Sequence, residues 1–164
     1  MFSLDEKTIR GSFVNASRKE TTTLTLPGGF AELDWKKLDY LGWRDPRIAR
    51  RAYIVVPVGD EHIGVMLKQA EAAPRNRAQC SWCQDITLPN DVSLYSARKA
   101  GAAGRKGDAL GSLICADFEC SSNVRKLPPL AYLGFDADAA RQERILVLRE
   151  RAAAFVTAVL GDAE

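Results

Sequence analysis

Residues 80–83 read Cys-Ser-Trp-Cys, and residues 115–120 read Cys-Ala-Asp-Phe-Glu-Cys. They hold all four cysteines of the 164-residue chain, in two close pairs with 31 residues between them. A C-x2-C pair at a tight turn sets two sulfurs on one side of the backbone, near enough to share a tetrahedral ion. The second pair follows the strand-like Leu113-Ile114 and precedes a helix that Asp117 is expected to cap, with Cys120 in its first turn. Knuckle, hairpin, strand and helix in that order, with two thiolates from each end, are what a treble-clef zinc finger requires.

Four thiolates without a histidine predict one structural Zn2+, held by Cys80, Cys83, Cys115 and Cys120 in a closed site with no position left for substrate or activated water. Folding and metal binding are then linked, with roughly 10 kcal/mol or more of apparent binding free energy acting on the local structure. A redox C-x2-C belongs after a strand in a βαβ pattern and leaves Cys115 and Cys120 unexplained. The spacing also differs from the compact ferredoxin run of an iron–sulfur protein. The site's formal charge of −2 favours nearby cations, and the intervening loop carries Arg98, Lys99, Arg105 and Lys106.

The 23 basic and 21 acidic residues nearly cancel, so distribution says more than the sum. Arginines gather in Arg44–Arg51 and basic residues again in Arg98–Lys126, whereas the chain leans acidic from Asp136 onward, so an anionic partner is expected to meet its middle. Asp5 and Glu6 stand where a secretory signal needs an apolar run. No stretch approaches the roughly 18 apolar residues of a membrane span. A cytoplasmic protein is expected, and in that reducing compartment paired cysteines more often hold metal than form disulfides.

Ser3–Ala16 carries Ile9, Phe13 and Ala16 at helical spacing and predicts a short amphipathic helix capped near Ser3. The threonine-rich segment 21–30 reads as an extended connector broken by Pro27-Gly28-Gly29, and Leu33–Trp43 as a turn or short helix. Ala52–Val58 and His62–Leu67 predict a hairpin closed at Gly59–Glu61; Val92–Ala97 is a third strand and Gly111–Ile114 a fourth. The glycines of segment 100–108 suit a flexible turn. From Asp136 to Leu160, Ile145, Leu148, Ala152, Phe155, Val156 and Val159 recur every three or four residues and predict a long amphipathic helix ended by Gly161. The expected class is α+β: a small antiparallel sheet with a treble-clef zinc finger, a short N-terminal helix and a long C-terminal one. The expected division is 1–39 for helix and connector, 40–130 for the domain with its finger at 80–126, and 131–164 for the C-terminal helix.

Tyr40-Leu41-Gly42-Trp43, the two hairpin strands, Cys-Ser-Trp-Cys, segment 91–108, segment 110–120 and Ser121–Arg125 occur in one order. Together they resemble the C-terminal domain of the FusB-type elongation factor G-binding proteins, the FBP family, over about residues 40–126. Short members resemble the chain over nearly its whole length, including Ile9–Ser17. The resemblance implies a cytoplasmic partner of elongation factor G; in the resistance members that binding helps release the factor trapped on ribosomes by fusidic acid. By the family motif, the four cysteines are the zinc ligands.

A protein-binding module is therefore the first expectation, with Trp82 either an exposed anchor for the partner or a packing residue. An RNA- or ribosome-binding module is the alternative, with Arg98, Lys99, Arg105, Lys106, Arg125 and Lys126 forming a basic face. Segment 101–108 lacks the G-x4-G-K-[ST] order of a phosphate-binding loop. His62, the sole histidine, has no evident partner, and neither paired carboxylates nor an open metal position are visible. No enzyme activity, small-molecule substrate or membrane partner is expected.

Overall fold

A computed structural model describes residues 1–161 apart from 73, 75 and 88. Five strands, β1 (Leu41–Arg44), β2 (Arg51–Val58), β3 (Glu61–Gln69), β4 (Val92–Arg98) and β5 (Ala109–Cys115), form one antiparallel sheet in sequential order. The predicted hairpin is β2–β3, in register from Val58↔Glu61 to Arg51↔Lys68, with Gly59 and Asp60 at the turn. β2 is buried on both faces, which explains its unbroken apolar run. Tyr53 and Val55 join a core with the N-terminal segment, while Ala52, Ile54 and Val56 face the finger and the C-terminal helix.

That helix, α5 (Ala137–Leu160), begins where Asp136 accepts a hydrogen bond from the Ala139 N–H and ends at Gly161. Its buried stripe is Ile145, Leu148, Ala152, Val156 and Val159. The N-terminal segment differs from expectation. Its first helix, α1, spans only Glu6–Gly11 and is capped by Asp5, not Ser3. Thr21–Thr23, expected extended, end a second helix, α2 (Arg18–Thr23). A reciprocal pair of bonds between Ser17 and Glu20 closes its first turn and outweighs the poor helix propensity of three threonines. Leu41–Trp43, expected within a turn or short helix, instead belong to the edge strand β1; the helical part of that stretch shrinks to a 3-10 turn at Trp35–Lys37.

β3 pairs with β4 only through Lys68↔Ser96 and Gln69↔Tyr95, so the two strands diverge toward the hairpin. The freed edge of β3 is taken by Ser12–Val14, which exchange backbone bonds with Gly64 at 2.9 and 3.0 Å. Asn15 bridges the divergence, donating to the carbonyls of Met66 and Arg98 and accepting from the Met66 N–H. Segment 100–108, expected to be an irregular turn, contains the helix α3 (Gly101–Arg105). Gly104 is what allows it: a Cβ there would stand 1.7 Å from the Lys99 carbonyl oxygen.

Candidate metal centre

The Cys80–Cys83 knuckle precedes β4, Cys115 ends β5, and Cys120 opens the helix α4 (Cys120–Arg125), so the predicted order is present. All four sulfurs lie within 4.8 Å of one another and all four residues are buried. Cys80 Sγ stands 3.6 Å from Cys120 Sγ, and Cys83 Sγ 3.5 Å from Cys115 Sγ. Zn–S bonds of about 2.3 Å at tetrahedral angles place sulfurs about 3.8 Å apart, so the quartet fits a single zinc ion. Interaction with the sulfurs crowded around it pulls the Cys80 thiol down, while the same crowding together with burial pushes Cys120 well up. Four touching thiols cannot all ionise alone. A divalent cation is what lets them.

The surroundings supply donors to sulfur. The Trp82 and Cys83 N–H groups point at Cys80 Sγ from 3.4 and 3.5 Å, and Asn123 Nδ2 lies 3.5 Å from Cys115 Sγ. Asp117 does not cap α4. The cap position is Glu119, without a side-chain bond, and Asp117 instead lies 3.4 Å from Arg44 on the surface. Between Cys115 and Cys120 the chain turns at Phe118, whose φ is +62°, and lays the Phe118 ring over Gly42. A Cβ at residue 42 would fall 2.7 Å from that ring, so the glycine between Leu41 and Trp43 lets the finger close on the edge strand.

Several expected contact residues have other employment. Trp82 is only 3% exposed, packed against Tyr40 and Phe155, so its ring cannot anchor a partner. Arg125 forks onto Asp39, a buried carboxylate that Arg149 also reaches at 2.8 Å. Lys126 donates to Asn123 Oδ1 at 2.8 Å and lies 3.9 Å from buried Asp85. Arg98 ends β4 and Lys99 follows it. The register Val92↔Cys115, Arg98↔Ala109 puts them, with Arg105 and Lys106, about 20 Å along the strands from the sulfurs. They do not offset the charge of the site.

Two further cations reach the finger from α5. Arg151 donates to the Ser81 and Trp82 carbonyls of the knuckle, and Arg144 to the Asn123 and Lys126 carbonyls at the end of α4. Arg144 also lies 3.8 Å from Asp85. Together α4 and α5 enclose the metal end of the sheet. Their spacing offered a signal, since Arg144 and Arg151 stand one heptad apart beside Leu148 on the buried stripe.

The sequence model of the FBP C-terminal treble-clef zinc-finger family matches residues 8–159, and the chain belongs to that family. Among solved structures it is similar to that of the fusidic acid resistance protein FusC, with 26% identity and a TM-score of 0.50. The likeness covers 64% of this chain and 47% of that one, so the chain spans about half the length of its neighbour. No curated protein matches the chain.

Proposed function

We propose that this protein binds translation elongation factor G in the cytoplasm and acts on the factor's interaction with the ribosome, without catalysing a reaction. The match to the FBP zinc-finger family over residues 8–159 carries this reading, and similarity to a fusidic acid resistance protein supports it. When bound, zinc supplies cross-linking of knuckle and helix; the four sulfurs take every tetrahedral position, which leaves the ion no Lewis-acid role. Among the described residues, no helix is long and apolar enough to cross a membrane.

With Trp82 buried, contact with the factor falls to residues around the finger that remain exposed. Leu127, Leu130, Tyr132 and Leu133 lie on the segment between α4 and α5, each at least 60% exposed. An apolar group of that kind, with one tyrosine, has the composition of a binding hot spot. Titration of purified elongation factor G into the protein tests the reading. A complex that persists at moderate salt is expected, weakened about tenfold by Tyr132→Ala. Absence of binding at any salt would overturn it.

Arg125 and Lys126 do not join the Arg98–Lys106 loop in a single basic face. The first two are engaged at the finger and the others lie at the opposite end of the sheet.

A further inference from the structure

Cations free to meet a polyanion lie elsewhere, in an open cleft of about 500 Å3 where β3 and β4 diverge. It is walled by Arg50 and Arg51 at the start of β2, Lys68 near the end of β3 and Arg98 at the end of β4, with Asn15 and Glu20 beside them. Arg51 and Lys68 are direct cross-strand partners, and Lys68 is in turn partnered with Ser96, two residues before Arg98. Paired residues project to one face, so this register sets like charges side by side, which destabilises a sheet unless something of opposite sign lies over them.

The protein provides little that does. Among the described residues Glu20 is the one carboxylate in the lining, and its Oε2 is taken by the Ser17 N–H and hydroxyl at 2.8 and 2.7 Å. Its other oxygen is 4.0 Å from Arg51. Arg50 pairs with exposed Glu71 on the rim. Lys68 and Arg98 have no carboxylate within 4 Å among the described residues. The N-terminal segment covers the outer face of β1–β3 but leaves that of β4 open, where Leu94 is exposed.

We propose that this cleft binds the phosphodiester backbone of a single-stranded nucleic acid. Lys68 and Arg98 stand one strand across and two residues along from each other, about 5 and 7 Å on strand geometry, a separation that lets neighbouring phosphates meet one cation each. Arginine's planar fork on the wall suits phosphate oxygens. Among the described residues the lining contains no Phe, Tyr or Trp on which a base could stack, so recognition is of backbone rather than sequence. The site lies at the end of β4 remote from the zinc ligands and is independent of the elongation factor G reading.

Anisotropy of a short fluorescent single-stranded RNA, its DNA counterpart and labelled polyglutamate, measured without the factor over a range of salt, tests the proposal. RNA binding is expected to be insensitive to base composition and to weaken steeply as salt rises; matching DNA binding, or loss of it through contacts to the 2′-hydroxyl, both fit. The Lys68→Ala/Arg98→Ala double variant should lose about tenfold or more in affinity and lower the log–log salt slope by roughly 1.4, two contacts at about 0.7 each. Neither side chain is hydrogen-bonded among the described residues, so the variant should fold; Lys68→Gln/Arg98→Gln, which keeps the aliphatic stems, serves if it does not. Arg105→Ala/Lys106→Ala, outside the lining, should leave affinity unchanged. The proposal is overturned if the native chain binds neither nucleic acid at low salt, if polyglutamate binds as tightly as RNA, or if the cleft variants bind normally.

Discussion

Asn123 and Asp39 show how single polar side chains hold the finger in place. Asn123 sits in α4 with its amide toward Cys115 Sγ, the kind of donor that steadies a thiolate and tunes the metal it holds. Asn123→Ala should weaken zinc about tenfold in competition with a chromophoric chelator. Asp39 is buried and accepts from Arg125 and Arg149, while its backbone N–H donates to Ser121 Oγ. Burial opposes its charge, but the hydrogen bonds and the charges of Arg125 and Arg149 prevail and hold its carboxyl below the usual range. The depressed value means that Asp39 stabilises the fold above the unfolded carboxyl's pKa of about 3.9, and that this contribution fades as pH falls through the lower folded value. Asp39→Asn should therefore cost about 2 kcal/mol in urea unfolding at neutral pH. The difference from the native chain should be flat above about pH 5 and shrink below about pH 4. The four cysteines were legible because their spacing alone carries the chemistry. Asp39 was not, since its partners lie 86 and 110 residues away and nothing local distinguishes it.

At the scale of elements, α5 was the most legible part of the chain, because a buried stripe over 24 residues leaves a long periodic record. What it does was less visible. Arg144 and Arg151, between its apolar positions, reach carbonyls of α4 and of the knuckle. Leu148 is fully buried on the same stripe, so Leu148→Ala should destabilise by about 3 kcal/mol in chemical denaturation. Short elements were harder to see, since a few residues give no periodicity and local contacts decide. The threonines of α2 conceal a helix that depends on its cap, and Ser17→Ala should cost about 1 kcal/mol. β1 was obscured by aromatic residues on either side of Gly42, whose missing side chain makes room for Phe118. α3 was obscured by its glycines, of which Gly104 serves close approach to Lys99 rather than looseness.

Across the whole molecule, the sheet separates two cores. One is closed by the N-terminal segment, and the other contains the four cysteines together with the stripe of α5. Zinc is thus tied to the same apolar packing that seats the long helix, rather than to an isolated loop. Stripping the metal should unseat α5 as well as the finger, while leaving β2–β3 and the N-terminal core the most protected against amide hydrogen exchange. In the proposed readings recognition falls to exposed groups away from the sulfurs, at Leu127–Leu133 for a protein partner and at the β3–β4 divergence for a polyanion. The packing of α4 and α5 on the metal end of the sheet depends on the four-thiolate centre. Native mass spectrometry of freshly purified protein, paired with thermal unfolding of Cys115→Ser, tests it most directly. One zinc per chain, and a melting temperature sharply lowered by the substitution, are the results predicted. Well under one zinc per chain, or a Cys115→Ser variant that melts where the native chain does, would contradict it.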